Sequence, residues 1–381
     1  MNRRTLSWPA RLAWTAVALA LIVIVFGAFV RLSNAGLSCP DWPTCYGKAT
    51  WPGHENEIAQ ANANYDREVE SHKTWREQGH RHIAALLGVL ILGIALVAAG
   101  RPRSTRFLVL LAAIAAAAGV FTYMRGLLEL SFALSLVALA LPLIAAAMLQ
   151  RPGASRVGVA LLSVVIFQAM LGMWTVTWLL KPVVVMSHLL GGLTTFSLLL
   201  YVALRWSNVG SVGDDLRGLR RMIAFAIVVL GAQIALGGWT SANYAALACG
   251  NDFPTCLDQW WPTTDFGEGF VLWRGIGVDY EGGVLDGAAR SAIQISHRIG
   301  ALVAFVTLGW LCGKLARSGL RVPARVLGIG LLVQIALGIG NVVYSVPLPI
   351  ATAHVAVAVL LLATLVYTLA RSQPRIERSP A

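Results

Sequence analysis

Residues 77–100 read EQGHRHIAALLGVLILGIALVAAG. The polar start, Glu77-Gln78-Gly79-His80-Arg81, runs without a break into an apolar stretch, and a bilayer crossing takes about 20 such residues. A near-copy, Gln294-Ile295-Ser296-His297-Arg298, opens another long apolar run in the second half of the chain. His188 and His354 stand inside two further runs. A histidine within an apolar span is costly unless something partners it. Four of them in two matched pairs predict two buried sites in a membrane-embedded chain.

The rest of the chain fits that reading. Of 381 residues, 57% are hydrophobic and only 13% charged, and the mean hydropathy is +0.69. This is the composition of a polytopic membrane protein. The net charge of +12 does not signal nucleic acid, because Lys and Arg cluster in alternate loops, as a membrane-orientation signal does. Ten apolar runs are long enough to span, at roughly 12–32, 78–99, 106–123, 130–149, 157–177, 183–204, 222–240, 291–313, 325–343 and 349–370. The loops on one side hold most of the basic residues: Arg3, Arg4 and Arg11, Arg101, Arg103 and Arg106, Arg151 and Arg156, Arg205, Arg217, Arg220 and Arg221, Lys314, Arg317, Arg321 and Arg325, and Arg371, Arg375 and Arg378. Both termini are therefore expected in the cytoplasm, with the long loops 33–77 and 241–290 outside. The first run is too long for a cleaved signal peptide, and no organelle presequence precedes it, which favours a bacterial inner membrane.

Comparing the chain with itself divides it further. Gly36-Leu37-Ser38-Cys39-Pro40-Asp41-Trp42-Pro43-Thr44-Cys45 is echoed by Ala246-Leu247-Ala248-Cys249-Gly250-Asn251-Asp252-Phe253-Pro254-Thr255-Cys256. Phe167-Gln168-Ala169-Met170-Leu171-Gly172 recurs as Val333-Gln334-Ile335-Ala336-Leu337-Gly338, each leading to a histidine span. The expected fold is all-α: two pseudo-symmetric four-helix transmembrane bundles, with an extra helix pair at 106–149 packed outside the first. That gives ten spans, eight of them in the core. The expected division is an N-terminal bundle over 1–204, a cytoplasmic linker over 205–221 and a C-terminal bundle over 222–381.

His80 and His297 begin their spans from outside, and His188 and His354 follow Lys181-Pro182 and Pro347/Pro349, so all four lie at similar depth. One imidazole on each of two facing helices suits a haem iron, and Gly191, Gly192, Ala353 and Ala356 leave room for a flat macrocycle. Zinc or copper would call for further Cys or carboxylate ligands nearby. His54 and His72 read as solvated loop residues, and His82 faces about 200° away from His80 on a helix. Arg81 and Arg298 suit a haem propionate or a lipid headgroup. Glu77, three residues before His80 on the same face, has only Gln294 as its counterpart. One carboxylate beside one of two similar sites points to chemistry in one half and electron carriage in the other. Cys39 with Cys45 and Cys249 with Cys256 share outer loops in an oxidising compartment, so two intraloop disulfides are expected. Cys312, within a span, reads as an inert core residue.

At these residues the chain resembles the haem A synthase family. The matching stretches are Gly36–Cys45, Glu77–Arg81, Leu171–Thr195, Gly237–Pro262, His297–Leu302 and Ala351–His354. The resemblance implies an eight-helix, two-bundle fold, from which the pair at 106–149 departs. It implies haem b held by His297 and His354, and a substrate haem O flanked by His80 and His188. It makes Glu77 the catalytic carboxylate and Cys39–Cys45 the disulfide that matters for function. The implied reaction oxidises the C8 methyl of haem O to a formyl group by successive hydroxylations, giving haem A for terminal oxidases. A haem O synthase is the expected partner; self-association and the electron donor are left open. The rival readings are a di-haem b electron-transfer protein that leaves haem unmodified, and a transporter with buried histidines.

Overall fold

The computed structural model describes residues 6–100, 102–150, 153–207 and 217–372. Arg3, Arg4, Arg101, Arg151, Arg375 and Arg378, the middle of the 205–221 linker and the side chain of Arg217 lie outside the described residues. Among the described residues ten helices are long and apolar enough to cross a membrane, and the chain is a multi-pass membrane protein. In order they are α1 (Trp8–Leu32), α3 (Ser71–Ala98), α4 (Arg103–Met124), α5 (Leu128–Met148), α6 (Ala154–Thr177), α7 (Pro182–Trp206), α8 (Arg217–Ala242), α10 (Gly287–Arg317), α11 (Arg321–Val343) and α12 (Leu348–Arg371). Two short helices, α2 (Glu55–Asn64) and α9 (Phe266–Gly269), fall in the long loops. Among the described residues the only β pairing is an isolated bridge in each cysteine loop.

The chain forms two compact units. The first comprises 1–30, 35–177 and 191–208, and the second 31–34, 178–190 and 209–381, so α7 is divided between them. In the first unit α3 packs on α6 closely enough that a Cβ on Gly158 would stand 2.8 Å from Ala98 Cβ. Gly192 of α7 lies against Ile24 of α1, and Gly191 against Gln168 of α6. Trp14 of α1 donates to Ser207 Oγ at 2.9 Å. The α4–α5 hairpin stacks on α3 and α6, with Ser163 Oγ donating to Leu139 O at 2.7 Å. It leaves Phe107, Ile114, Phe121 and Leu143 exposed, as lipid contact allows. In the second unit each long helix packs on two others, in the order α8, α10, α11, α12 and back to α8. That is a closed four-helix bundle.

Two of the expected boundaries move. α3 begins at Ser71 and α10 at Gly287, several residues before the apolar runs, because polar outer turns are buried against the cysteine loops: Thr74 and Ser291 are at most 1% exposed. Glu77 therefore sits inside a helix rather than at a loop boundary. The loop 33–77 also contains α2, whose start is marked by Glu55 and Glu57 in the first turn. Glu57 closes it by accepting from the backbone N–H groups of Gly53 and His54 and by pairing with Lys48. These partners, Lys48 first, hold its pKa down to about 2. The carboxylate's contribution is thus present above its usual range and is lost as the pH falls towards about 2.

Lys181 was expected only to mark the start of a span. It is 1% exposed, and its Nζ donates to Arg274 O at 2.5 Å and Gly275 O at 3.3 Å. The ammonium lies 3.4 Å from the centre of the Trp273 ring. Burial lowers its pKa, and the carbonyls and the ring face replace the water it gives up. It pins the long loop of the second unit.

Candidate functional site

The cysteine loops are built alike. Cys39 is joined to Cys45 and Cys249 to Cys256. After the second cysteine each chain reverses through two residues with positive φ, Tyr46 and Gly47 in one and Leu257 and Asp258 in the other, as a type I′ turn requires. Cys45 exchanges backbone hydrogen bonds with Lys48, and Cys256 with Gln259. An aspartate four residues before the second cysteine braces each turn. Asp41 accepts from Tyr46 N at 2.6 Å and Gly47 N at 2.8 Å, and Asp252 from Asp258 N at 2.9 Å.

The arginines after the histidines hold these loops. Arg81 Nη1 donates to Asp41 O at 2.9 Å and Thr44 O at 2.7 Å. Arg298 donates to Asp252 O at 2.8 Å, Thr255 O at 2.7 Å and Pro254 O at 3.2 Å. The planar fork matches backbone carbonyls that a lysine would not span. The sequence offered a propionate or a headgroup as the partner; the first use of both guanidiniums is to clamp a loop to its helix.

The asymmetry lies one turn earlier. Glu77, 4% exposed, accepts from Arg81 Nη2 at 2.5 Å on one oxygen. Its other oxygen accepts from Ser38 Oγ at 3.0 Å and from the backbone N–H of Cys39 at 2.8 Å. It is thus tied to the cysteine loop and neutralised by Arg81. In the second unit Gln294 occupies the same place, equally buried, with an Oε1 that has no hydrogen-bond partner among the described residues. No carboxylate pairs with Arg298 among the described residues, and its Nε is buried without a hydrogen-bond partner there. One site therefore has a hydrogen-bonded charge pair, the other a half-buried cation held by backbone carbonyls, with Asp252 acting on it only through its field. Removing Arg81 takes the counterion from the buried Glu77 carboxylate and leaves it only the Ser38 and Cys39 donors, a loss on the order of 3 kcal/mol. Arg81→Gln is expected to lower the thermal midpoint of the purified protein and raise the protease sensitivity of the 39–49 loop. A wild-type melt and digest would refute the clamp.

The histidines fall where the repeat expects. His80 and His297 come about two and a half turns inside α3 and α10, His188 and His354 under two turns inside α7 and α12. All four are half-buried. Phe26 stacks obliquely 6.2 Å from the His80 ring. A Cβ on Gly27 of α1 would stand 2.7 Å from His80 Cε1, one on Gly237 of α8 3.1 Å from His297 Cε1, and one on Gly338 of α11 3.2 Å from His354 Cε1. Each of these rings therefore lies against the backbone of a neighbouring helix; at Gly27 a Cβ would force the ring aside, and at Gly237 and Gly338 it would crowd it. His297 and His354 lie within electrostatic reach of each other. His82, on the other side of α3, bonds through Nδ1 to Gln78 O at 2.8 Å. Among the described residues no three His, Cys, Asp or Glu side chains converge as a zinc or copper centre would need.

Gln334 stood in a sequence repeat with no role assigned to it, and Gln233 escaped the sequence reading. Gln233 Nε2 lies 3.1 Å from His297 Nδ1 and donates to His297 O at 3.0 Å. Gln334 Nε2 lies 3.2 Å from His354 Nε2. The signal was available, since Gln-Ile-Ala-Leu-Gly occurs at both 233–237 and 334–338.

Helical spans carrying half-buried histidines beneath disulfide-closed loops define a polytopic membrane protein. The chain belongs to the COX15-CtaA family, described as cytochrome oxidase assembly protein, whose sequence model matches residues 10–149 and 123–366. It is 37% identical over 365 residues to the Heme A synthase of Shewanella oneidensis, covering 95% of this chain and 94% of that one. Over 182 residues it is 28% identical to the Heme A synthase of Rhizorhabdus wittichii, covering 48% of this chain and 49% of that one.

Proposed function

We propose that this protein is a haem A synthase of the bacterial inner membrane, with both termini in the cytoplasm. In it the N-terminal bundle (1–204) takes haem O as substrate and the C-terminal bundle (222–381) holds haem b, the two joined by the 205–221 linker. The near full-length likeness to a Heme A synthase supports the activity. The observation that carries the division of labour is the Glu77/Gln294 contrast.

In the C-terminal bundle His297 and His354 would hold the haem b iron. Their support is the glycine-packed rings, the His354 Nδ1 that is buried without a hydrogen-bond partner among the described residues, and Arg298. A propionate would compensate the Arg298 cation and give its Nε an acceptor. Bound there, haem b supplies one-electron redox chemistry. In the N-terminal bundle His80 and His188 flank haem O. Arg81 and the Cys39 loop hold the Glu77 carboxylate in place on the His80 face of α3. From there Glu77 relays protons or stabilises charge that develops as the methyl is oxidised. The Cys39–Cys45 disulfide keeps the Cys39 N–H aimed at Glu77, so loop and carboxylate act as one part. A haem O synthase is the partner that would deliver the substrate.

The test is pigment extraction from membranes co-expressing this chain with a source of haem O. The expected result is haem A in the extract and haem b on the purified protein. Haem b alone, with haem O unchanged, would instead identify a di-haem electron carrier, and no Soret absorbance would identify a transporter.

A further inference from the structure

Four helices precede a histidine helix, and three of them carry one pattern: Gln168-Ala169-Met170-Leu171-Gly172 on α6, Gln233-Ile234-Ala235-Leu236-Gly237 on α8, and Gln334-Ile335-Ala336-Leu337-Gly338 on α11. On α1 the same place reads Val23-Ile24-Val25-Phe26-Gly27. Residues four apart share a helix face, so Gln and Gly point at the neighbour together. On α8 and α11 that neighbour is the histidine: the glycine lies against ring Cε1 and the amide reaches a ring nitrogen. The fit extends past the ring. The Gln233 amide fills the place a Cβ would take at Gly300, three residues after His297, and Gln168 does the same at Gly191, three residues after His188.

We propose that Gln233 and Gln334 are positioning residues for the two haem b ligands, each fixing the rotation of its imidazole and which ring nitrogen is offered to iron. This rests on the haem b assignment above. Each amide engages one nitrogen of its ring and leaves the other for the metal. An iron-bound imidazole carries a proton on its outer nitrogen, and the partner that accepts it fixes the ring and strengthens its donation. Gln233 and Gln334 each keep an Oε1 that is buried without a hydrogen-bond partner among the described residues. Rotating the Gln334 amide by half a turn brings that oxygen to the ring nitrogen, and the same turn of Gln233 exchanges its donation to His297 O for an acceptor at the ring, so each glutamine holds an acceptor in reserve for the ligated state. An apolar residue of the same length would fill the space and do none of this.

The experiment uses full-length protein purified with its haem b, as Gln233→Leu, Gln334→Leu, Gln233→Glu and Gln334→Glu. Leucine removes the amide: haem affinity is expected to fall about 10- to 100-fold, the midpoint potential to rise as ring donation weakens, and the ferric low-spin electron paramagnetic resonance g-values to shift as the rings rotate. Glutamate keeps an acceptor and adds charge, so the potential is expected to move the opposite way. A merely space-filling role would not give opposite signs. Wild-type potentials and g-values in all four variants would overturn the proposal, and if the leucine proteins lose haem outright, the glutamate pair decides it. Wild-type protein that purifies without haem b would instead overturn the assignment beneath it, so the two failures are told apart.

Discussion

Glu77→Gln is expected to lower haem A formation by about 100-fold or more while haem b stays bound; a general acid or base is worth about that much. The substitution makes α3 copy α10, where Gln294 already stands in that place. Glutamine keeps an oxygen able to accept from Ser38 and from the Cys39 N–H, so the loop is expected to stay closed. What it removes is the negative charge and the capacity to take up a proton. Pigment analysis of co-expressing membranes reads the activity, the Soret band of the purified protein reads haem b, and thiol labelling reads Cys39 and Cys45. Unchanged haem A would remove Glu77 from the chemistry. Free thiols together with lost activity would mean that the carboxylate serves the loop rather than the reaction.

Much of this was legible in the sequence, for physical reasons. Ten apolar runs announce ten spans because a bilayer leaves backbone polar groups no choice but helix. The duplicated cysteine loops and His-Arg pairs mark the repeat because the same turn and the same clamp are built twice. The polar outer turns of α3 and α10 stayed hidden, since hydropathy ends where helix continues; Thr74 and Ser291 are buried by loops that are remote in sequence. The short α2 has almost no apolar face to betray it. The roles of Arg81 and Arg298 were open because a cation at a membrane boundary suits a headgroup, a propionate or a carbonyl equally well, and only the folded loop decides. Gln-Ile-Ala-Leu-Gly was in plain sight twice. Nothing local says that Gln233 meets a histidine 64 residues away.

The second large effect separates the two halves. His354→Ala in the full chain is expected to lose the low-spin haem b signature, and His297→Ala likewise, because both rings would hold the haem iron and among the described residues no other histidine lies on their helices. Gly237 and Gly338 leave only backbone against the rings, and the amides of Gln233 and Gln334 are far weaker donors to iron than imidazole. His80→Ala is expected to retain haem b with an unaltered Soret band and to lose haem A, since its ring belongs with Gly27, Phe26 and the Glu77 loop. Visible spectra of the purified proteins and pigment extracts of the membranes read both outcomes from one preparation. The reverse pattern, haem b lost with His80 and kept without His354, would exchange the roles of the bundles. It would also place the single carboxylate beside the electron carrier, where a neutral Glu77–Arg81 pair has no evident use, and Arg298, which has no carboxylate hydrogen-bonded to it among the described residues, would face the substrate instead.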